Sequence, residues 1–273
     1  MTAFDLQGRT ALVTGGFSGL GRHFAGVLAA HGARVALIGR RIELGVQVAS
    51  DIGAAAGRPG DARAYRADVT DAQSIADAFK QVDTELGVPT IVVNNAGTVA
   101  RAPSMELADD AWSDVVDVNL SGVFRVAQAA ARAMVKAGTG GSIINIASIL
   151  GLRVRPQVLA YAATKAAVVQ MTKALALEWA EHRIRVNALA PGYFETDINR
   201  DLLRSPAGQA LIARVPQQRV GQLADLDGPL LLLASDASAY MTGADRRGRR
   251  APGQQLVDRA LRNATSCFFR TSR

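Results

Sequence analysis

Short, dense apolar runs alternate along this chain with longer stretches in which apolar residues recur at helical spacing. The runs are Thr10 to Thr14, Val35 to Ile38, a segment ending at Ala67, Thr90 to Val93, Ser142 to Ala147 and Ile184 to Ala190. Between them, Leu20, Phe24, Val27 and Leu28 keep one helical face, a second helix reaches about Ala56 before the Gly57 to Gly60 break, and a third begins near Asp71. Further helices are expected from Asn119 through Val135 and from Val158 to Ala180. Strands without polar alternation are buried on both faces, so the pattern predicts an α/β fold: a doubly wound parallel sheet with helices on both sides. Such sheets bind ligands at the carboxyl ends of their strands, where Gly15, Arg40, Asp68, Asn95 and Ser148 all fall.

The helix from Val158 to Ala180 holds only Lys165, Lys173 and Glu178 as charged residues. A helix apolar nearly all round is usually covered on both sides, so one side is expected on the sheet and the other against a partner subunit.

With 273 residues, 49% of them hydrophobic, the chain can bury a substantial core as one domain. Charge divides it unevenly: residues 246–273 carry eight Arg and one acid, Asp258, while residues 1–245 hold equal numbers of basic and acidic side chains. The expected organisation is therefore a single domain over 1–245 and an Arg-rich, poorly ordered tail over 246–273. Cys267 is the one cysteine, which excludes an internal disulfide and a Cys-based metal site, and the scattered His23, His31 and His182 suggest no metal ligation. No apolar stretch long enough to span a membrane is free of charge, and the opening Met1, Thr2, Ala3, Phe4, Asp5 lacks the character of a secretory signal. The expectation is a cytoplasmic protein acting on a small molecule, with neither nucleic acid nor membrane as partner.

The candidate chemistry centres on Tyr161 and Lys165. Four residues apart on a helix, their side chains share a face. A phenol titrates near 10 when unperturbed, and a nearby fixed cation favours its ionised form; a depression of roughly three units requires about 4 kcal/mol. Tyr161 is thus a candidate general acid/base. Ser148, at the end of a buried strand, can hydrogen-bond a substrate oxygen. Near the N-terminus the strand, glycine cluster and helix over Thr14 to Gly21 form an arrangement that aims backbone N–H groups at a pyrophosphate, with Gly15, Gly19 and Gly21 permitting close approach. After the second strand stand Arg40 and Arg41, where a carboxylate would select NAD by its ribose; arginine there pairs with the 2′-phosphate of NADP.

The motifs TGGFSGLG from Thr14 to Gly21, Asn94-Asn95-Ala96-Gly97, Asn119, Ser148, Tyr161, Lys165 and Pro191-Gly192 resemble, in order and spacing, those of the single-domain short-chain dehydrogenases/reductases. The resemblance spans about Gly8 to Gly243. It implies a Rossmann-like fold and an NADP-dependent oxidoreductase, with NAD as the alternative, interconverting a ketone and a secondary alcohol, including 3-oxoacyl or sugar-related compounds. It further implies catalytic roles for Asn119, Ser148, Tyr161 and Lys165, with Asn119 holding a water in a proton relay. Cofactor contacts would come from Gly15, Ser18, Gly19, Leu20, Gly21, Arg40, Asp68, Val69, Asn95, Gly97, Tyr161, Lys165, Pro191 and Gly192. Members of the family form tetramers, so a homotetramer or homodimer is expected. The segment Tyr193 to Pro216 would form a lid whose Phe194, Ile198, Leu202 and Leu203 give a partly apolar pocket. The alternative is a catalytically silent dinucleotide sensor, since a fold alone does not prove chemistry.

The chain leaves the family pattern after Gly243. Related chains continue with an apolar edge strand and Asp-Gly-Gly, whereas this one has Arg246, Arg247, Gly248, Arg249 and Arg250. Four buried arginines would be desolvated and unpaired, which makes the terminal strand doubtful. One back-translation of Arg246 to Arg250, CGT CGT GGA CGG CGG, reads in a neighbouring frame as Val-Val-Asp-Gly-Gly. A frameshift near Asp245 is therefore expected, and a gene encoding no apolar strand in either shifted frame would refute it.

Overall fold

The computed structural model describes residues 4–195, 200–213, 215 and 217–247. In chain order its elements are β1 (Thr10–Thr14), α1 (Gly19–Ala30), β2 (Arg34–Gly39), α2 (Ile42–Ala55), β3 (Ala62–Arg66), α3 (Ala72–Leu86) and β4 (Pro89–Asn94). Then follow α4 (Asp109–Val116), α5 (Gly122–Ala137), β5 (Gly141–Ile146), α6 (Leu159–Trp179), β6 (Ile184–Ala190), α7 (Arg200–Arg204), α8 (Pro206–Ile212), α9 (Asp227–Ala234) and β7 (Asp245–Arg247). The seven strands form one parallel sheet in the order β3-β2-β1-β4-β5-β6-β7.

Successive residues of the central strands serve two different cores, as the two-residue period of a strand requires. Ala11 and Val13 of β1, Val35 and Leu37 of β2, and Ile91 and Val93 of β4 face one core with Phe24 and Leu28 of α1, Val48 and Ile52 of α2, and Leu230 of α9. Leu12, Ala36 and Val92 face the other, with Phe79 of α3, Val126 and Met134 of α5, and Leu175 of α6. Every residue of β1 is buried, which explains its unbroken apolar run. The chain reverses its direction of strand addition between β1 and β4, and a crevice opens there at the carboxyl ends of the strands.

Two elements differ from their sequence expectation. Asn119 does not open a helix: it lies within a π-helical turn, Asp117–Ser121, that joins α4 to α5 without a break in the helical path. Asp109 and Asp110 in the first turn complement the positive end of α4, a helix the apolar pattern alone did not indicate.

The terminal strand, doubtful from its arginines, is present over three residues, pairing Ala188 with Asp245, Leu189 with Arg246 and Ala190 with Arg247. Ladder bonds use backbone groups and are indifferent to side-chain type. The approach to the strand is fixed by Asn187, whose side-chain amide donates to the Met241 carbonyl at 2.9 Å and accepts from the Ala244 N–H at 3.1 Å. The tail from Gly248 onward, with Arg249, Arg250 and Cys267, lies outside the described residues, as does Ile198 of the expected lid.

Candidate active site

The β1–α1 turn is shaped by glycines that no other residue could replace in place. Gly15 has φ +62°, and a Cβ on Gly21 would stand 2.2 Å from the Gly15 carbonyl oxygen. Ser18 precedes α1 without capping it, and the first turn of α1 holds no acid. Its N–H groups therefore remain available to an anion. Asn95, at the end of β4, ties this turn down: its N–H donates to Thr14 Oγ1 at 3.0 Å and its side-chain amide to the Thr14 carbonyl at 3.0 Å. This cradle, too tight for a Cβ and lined by unused donors, fits the pyrophosphate of a dinucleotide.

Further along the sheet, Ser148 stands just beyond β5 and caps the 3-10 turn Ile149–Gly151 by accepting from the Leu150 N–H at 3.1 Å. That turn lies directly on α6: a Cβ on Gly151 would come within 2.6 Å of the backbone carbonyl carbon of Lys165. The close pass keeps Ser148 and Tyr161 on the wall of one cavity, with the serine hydroxyl acting to lower the Tyr161 pKa. Lys165 is almost wholly buried, and its Nζ donates to the Ile146 carbonyl at 2.7 Å and lies 5.7 Å from the centre of the Tyr161 ring.

The expected depression of the phenol counts on a bound cationic cofactor ring as well as the lysine; in the protein by itself burial acts in the other direction. Burial pushes the Tyr161 hydroxyl above its usual value, and the Ser148 hydroxyl offsets this only in part. Burial likewise lowers Lys165, to about 8. In the protein by itself, loss of water is the largest influence on both groups.

Asn119 is fully buried and holds the loop following β4. Its Oδ1 accepts from the Thr98 N–H and its Nδ2 donates to the Thr98 carbonyl, both at 2.8 Å, with a longer bond to Thr164 Oγ1 at 3.4 Å. The π-helical turn aims it there, an arrangement often found at functional sites. Between Asn119 and Lys165 sits Gly97, whose Cβ would be 3.3 Å from Asn119 Oδ1 and 3.7 Å from Lys165 Nζ.

One cavity of about 310 Å³ collects Gly15, Ser18, Gly19, Leu20, Asn95, Gly97, Ser148, Tyr161, Lys165, Pro191 and Gly192. Of the expected lid residues, Phe194 and Leu203 line it, while the side chain of Leu202 lies outside what is described. Gly21, Val69 and Asn119 stand behind its walls, Val69 within 2.9 Å of where a Gly122 Cβ would be. Arg40 and Asp68 belong to a second cavity with Arg66, which the sequence reading did not single out. There the Arg40 guanidinium is largely exposed and 3.9 Å from Asp68, whose carboxyl is held below its usual value first by the Thr70 N–H. Arg101 and Arg155 also escaped notice, although each lies within eight residues of a motif and lines the main cavity. Among the described residues no group of three or more His, Cys, Asp or Glu is placed to hold a metal, and no helix is long and apolar enough to cross a membrane.

A sheet of this order, with a dinucleotide cradle and a serine, tyrosine and lysine at the same crevice, defines a class that comparison with known proteins identifies. Residues 9–206 match the short chain dehydrogenase family, and the chain belongs to it. It is 38% identical over 245 residues to the 2-dehydro-3-deoxy-D-gluconate 5-dehydrogenase of Dickeya dadantii, covering 89% of this chain and 94% of that one. The 3-oxoacyl-[acyl-carrier-protein] reductase of Escherichia coli is 39% identical over 240 residues, covering 88% and 95%. Among solved structures, a gluconate 5-dehydrogenase from Burkholderia cenocepacia in complex with NADP and tartrate is 39% identical with a TM-score of 0.85, covering 89% and 94%. The chain is therefore an NAD(P)-dependent oxidoreductase acting on a carbonyl and alcohol pair, and not a silent sensor.

Proposed function

We propose that Tyr161 is the proton donor and acceptor of this oxidoreductase, with Ser148 and Lys165 as its partners and NADP(H) as the preferred cofactor. The observation that carries this reading is the convergence of Ser148, Tyr161 and Lys165 on one cavity beside the glycine turn. When bound, NADPH supplies the hydride that reduces the carbonyl carbon. The Tyr161 hydroxyl hands its proton to the substrate oxygen during reduction and takes it back during oxidation, while Ser148 donates a hydrogen bond that holds that oxygen in place. Lys165 uses one N–H on Ile146 and retains two for the cofactor ribose and for the field that favours ionised Tyr161. Asn119, bonded to Thr98, keeps the wall around Gly97 in register with Lys165.

Tyr161→Phe is expected to bind NADPH as before and to lose turnover by two orders of magnitude or more; a rate within tenfold of the parent overturns the assignment.

The preference for NADP rests on Arg40, exposed at the end of β2 with Arg66 in the same cavity. A charge-assisted contact to the 2′-phosphate contributes about 1.5–3 kcal/mol, so Arg40→Ala should raise KM for NADPH tenfold or more and leave KM for NADH nearly unchanged. Equal effects on both would contradict the preference.

The same reading includes association through α5 and α6 into a homodimer or homotetramer working in the cytoplasm. It is supported by large apolar side chains left in water on both helices, Phe124 and Val135 on α5 and Leu177 on α6.

A further inference from the structure

Among the described residues that line the main cavity there is no Asp or Glu, yet besides Lys165 there are two arginines, Arg101 and Arg155. Neither makes a hydrogen bond or ion pair with another described residue, which sets them apart from Arg9, Arg63, Arg185 and Arg219, whose guanidiniums engage protein oxygens. Arg101 follows the Asn94 to Gly97 motif, and Arg155 sits in the loop between Ser148 and α6. The two loops are joined by one backbone bond, from the Ala102 N–H to the Gln157 carbonyl at 3.2 Å. Gln157 takes the left-handed φ of +66° at that junction, a conformation a non-glycine residue adopts only where its surroundings hold it. Two unpaired cations are thus carried on segments fixed to each other, one of them the loop that follows Ser148.

We propose that Arg101 and Arg155 form an anion subsite that selects substrates bearing a carboxylate or phosphate near the reacting carbon. This rests on the reading of Ser148 and Tyr161 as the site of reaction. A guanidinium presents a planar fork of donors that matches either anion, and two of them on one cavity wall can bind it from two directions. Apolar neighbours strengthen the attraction: Ile149, Leu150, Val158, Phe194 and Leu203 line the same cavity and keep its dielectric below that of water. Within residues 1–245 the attraction is local, because that part of the chain carries no net charge. The subsite fixes the far end of a small substrate while Ser148 and Tyr161 hold its reacting oxygen, so that the anion sets which carbon is presented for reaction.

The test is calorimetric titration of the NADP⁺-loaded protein, at constant ionic strength, with tartrate, inorganic phosphate and the neutral polyol threitol. Loading with NADP⁺ occupies the other phosphate-binding surfaces. At least one anion is expected to bind tenfold or more tightly than threitol, and the double variant Arg101→Gln, Arg155→Gln to lose that advantage while its dissociation constant for NADPH stays within threefold of the parent. Tartrate alone showing the advantage identifies a carboxylate subsite, and phosphate alone a phosphate subsite. Binding of both anions no better than threitol, or an advantage that survives the double variant, overturns the proposal. Tyr161→Phe separates the two readings: it should abolish turnover and keep the anion advantage, so that the proton-transfer role and the subsite fail independently.

Discussion

At the scale of single residues, Lys165 shows how function and stability pull apart. Its ammonium is carried in a nearly waterless position with one carbonyl as partner, and its pKa falls from 10.5 to about 8. Below about pH 8 the lysine is charged both folded and unfolded, and the full penalty of burying it applies. Between about 8 and 10.5 the unfolded chain binds more protons than the folded one, so this group makes stability rise with pH across that window, by on the order of 3 kcal/mol. Lys165→Met should therefore be at least as stable as the parent at pH 7, lack the parent's gain between pH 8 and 10, and turn over at least a hundredfold more slowly. Thermal unfolding at several pH values checks the first two expectations; a parent whose stability falls steadily from pH 8 to 10 while the variant's does not contradicts them. That Tyr161, Lys165 and Ser148 would come together was legible from spacing and strand ends, because those are properties of local geometry. The direction of the Tyr161 shift was not, since it depends on how much water the assembled fold removes, and sequence spacing carries no measure of that.

At the scale of elements, the short turn Ile149–Gly151 positions the site as much as the helix behind it. Gly151 lets this turn pass within contact of the α6 backbone at Lys165, and only that approach brings Ser148 to Tyr161. Gly151→Ala would place a methyl 2.6 Å from a backbone carbon, forcing turn and helix apart by several tenths of an ångström or more. The expected result is a kcat lowered tenfold or more with NADPH affinity within threefold of the parent, measured by steady-state kinetics and fluorescence titration. Unchanged kcat would show that the two side chains do not depend on this contact. Strand β1 was readable to the residue because a parallel strand buried on both faces leaves a dense apolar signature, and β6 was too, although Arg185 and Asn187 interrupt its apolar run. The π-helical turn around Asn119 was not readable: one extra residue in a helical turn changes the direction of side chains without changing composition, and the pattern of Gly122 to Ala137 masks the helix that precedes it.

At the scale of the whole molecule, the exposed face of α6 carries Ala163, Ala166, Ala174 and Leu177 beside Gln170, Lys173 and Glu178, with Leu177 83% exposed. Small side chains of this kind permit two helices to approach closely, and burying Leu177 alone contributes about 1.5–3 kcal/mol per copy. Light scattering at micromolar concentration is expected to find dimers or tetramers, and Leu177→Asp to shift them toward monomer; a parent that is monomeric throughout removes the basis for subunit contact on this face. The sheet order also has a consequence for synthesis. From β4 onward each strand is laid beside the one before it, on the same edge, in the order in which a ribosome delivers them. Every nascent strand thus finds its partner already in place, and the exposed edge moves outward as the chain lengthens. All of the cavity wall, through Leu203, emerges before the last strand. An alteration at the end of the gene would consequently fall on the part of the sheet delivered last, beside β6, after the chemistry has been assembled.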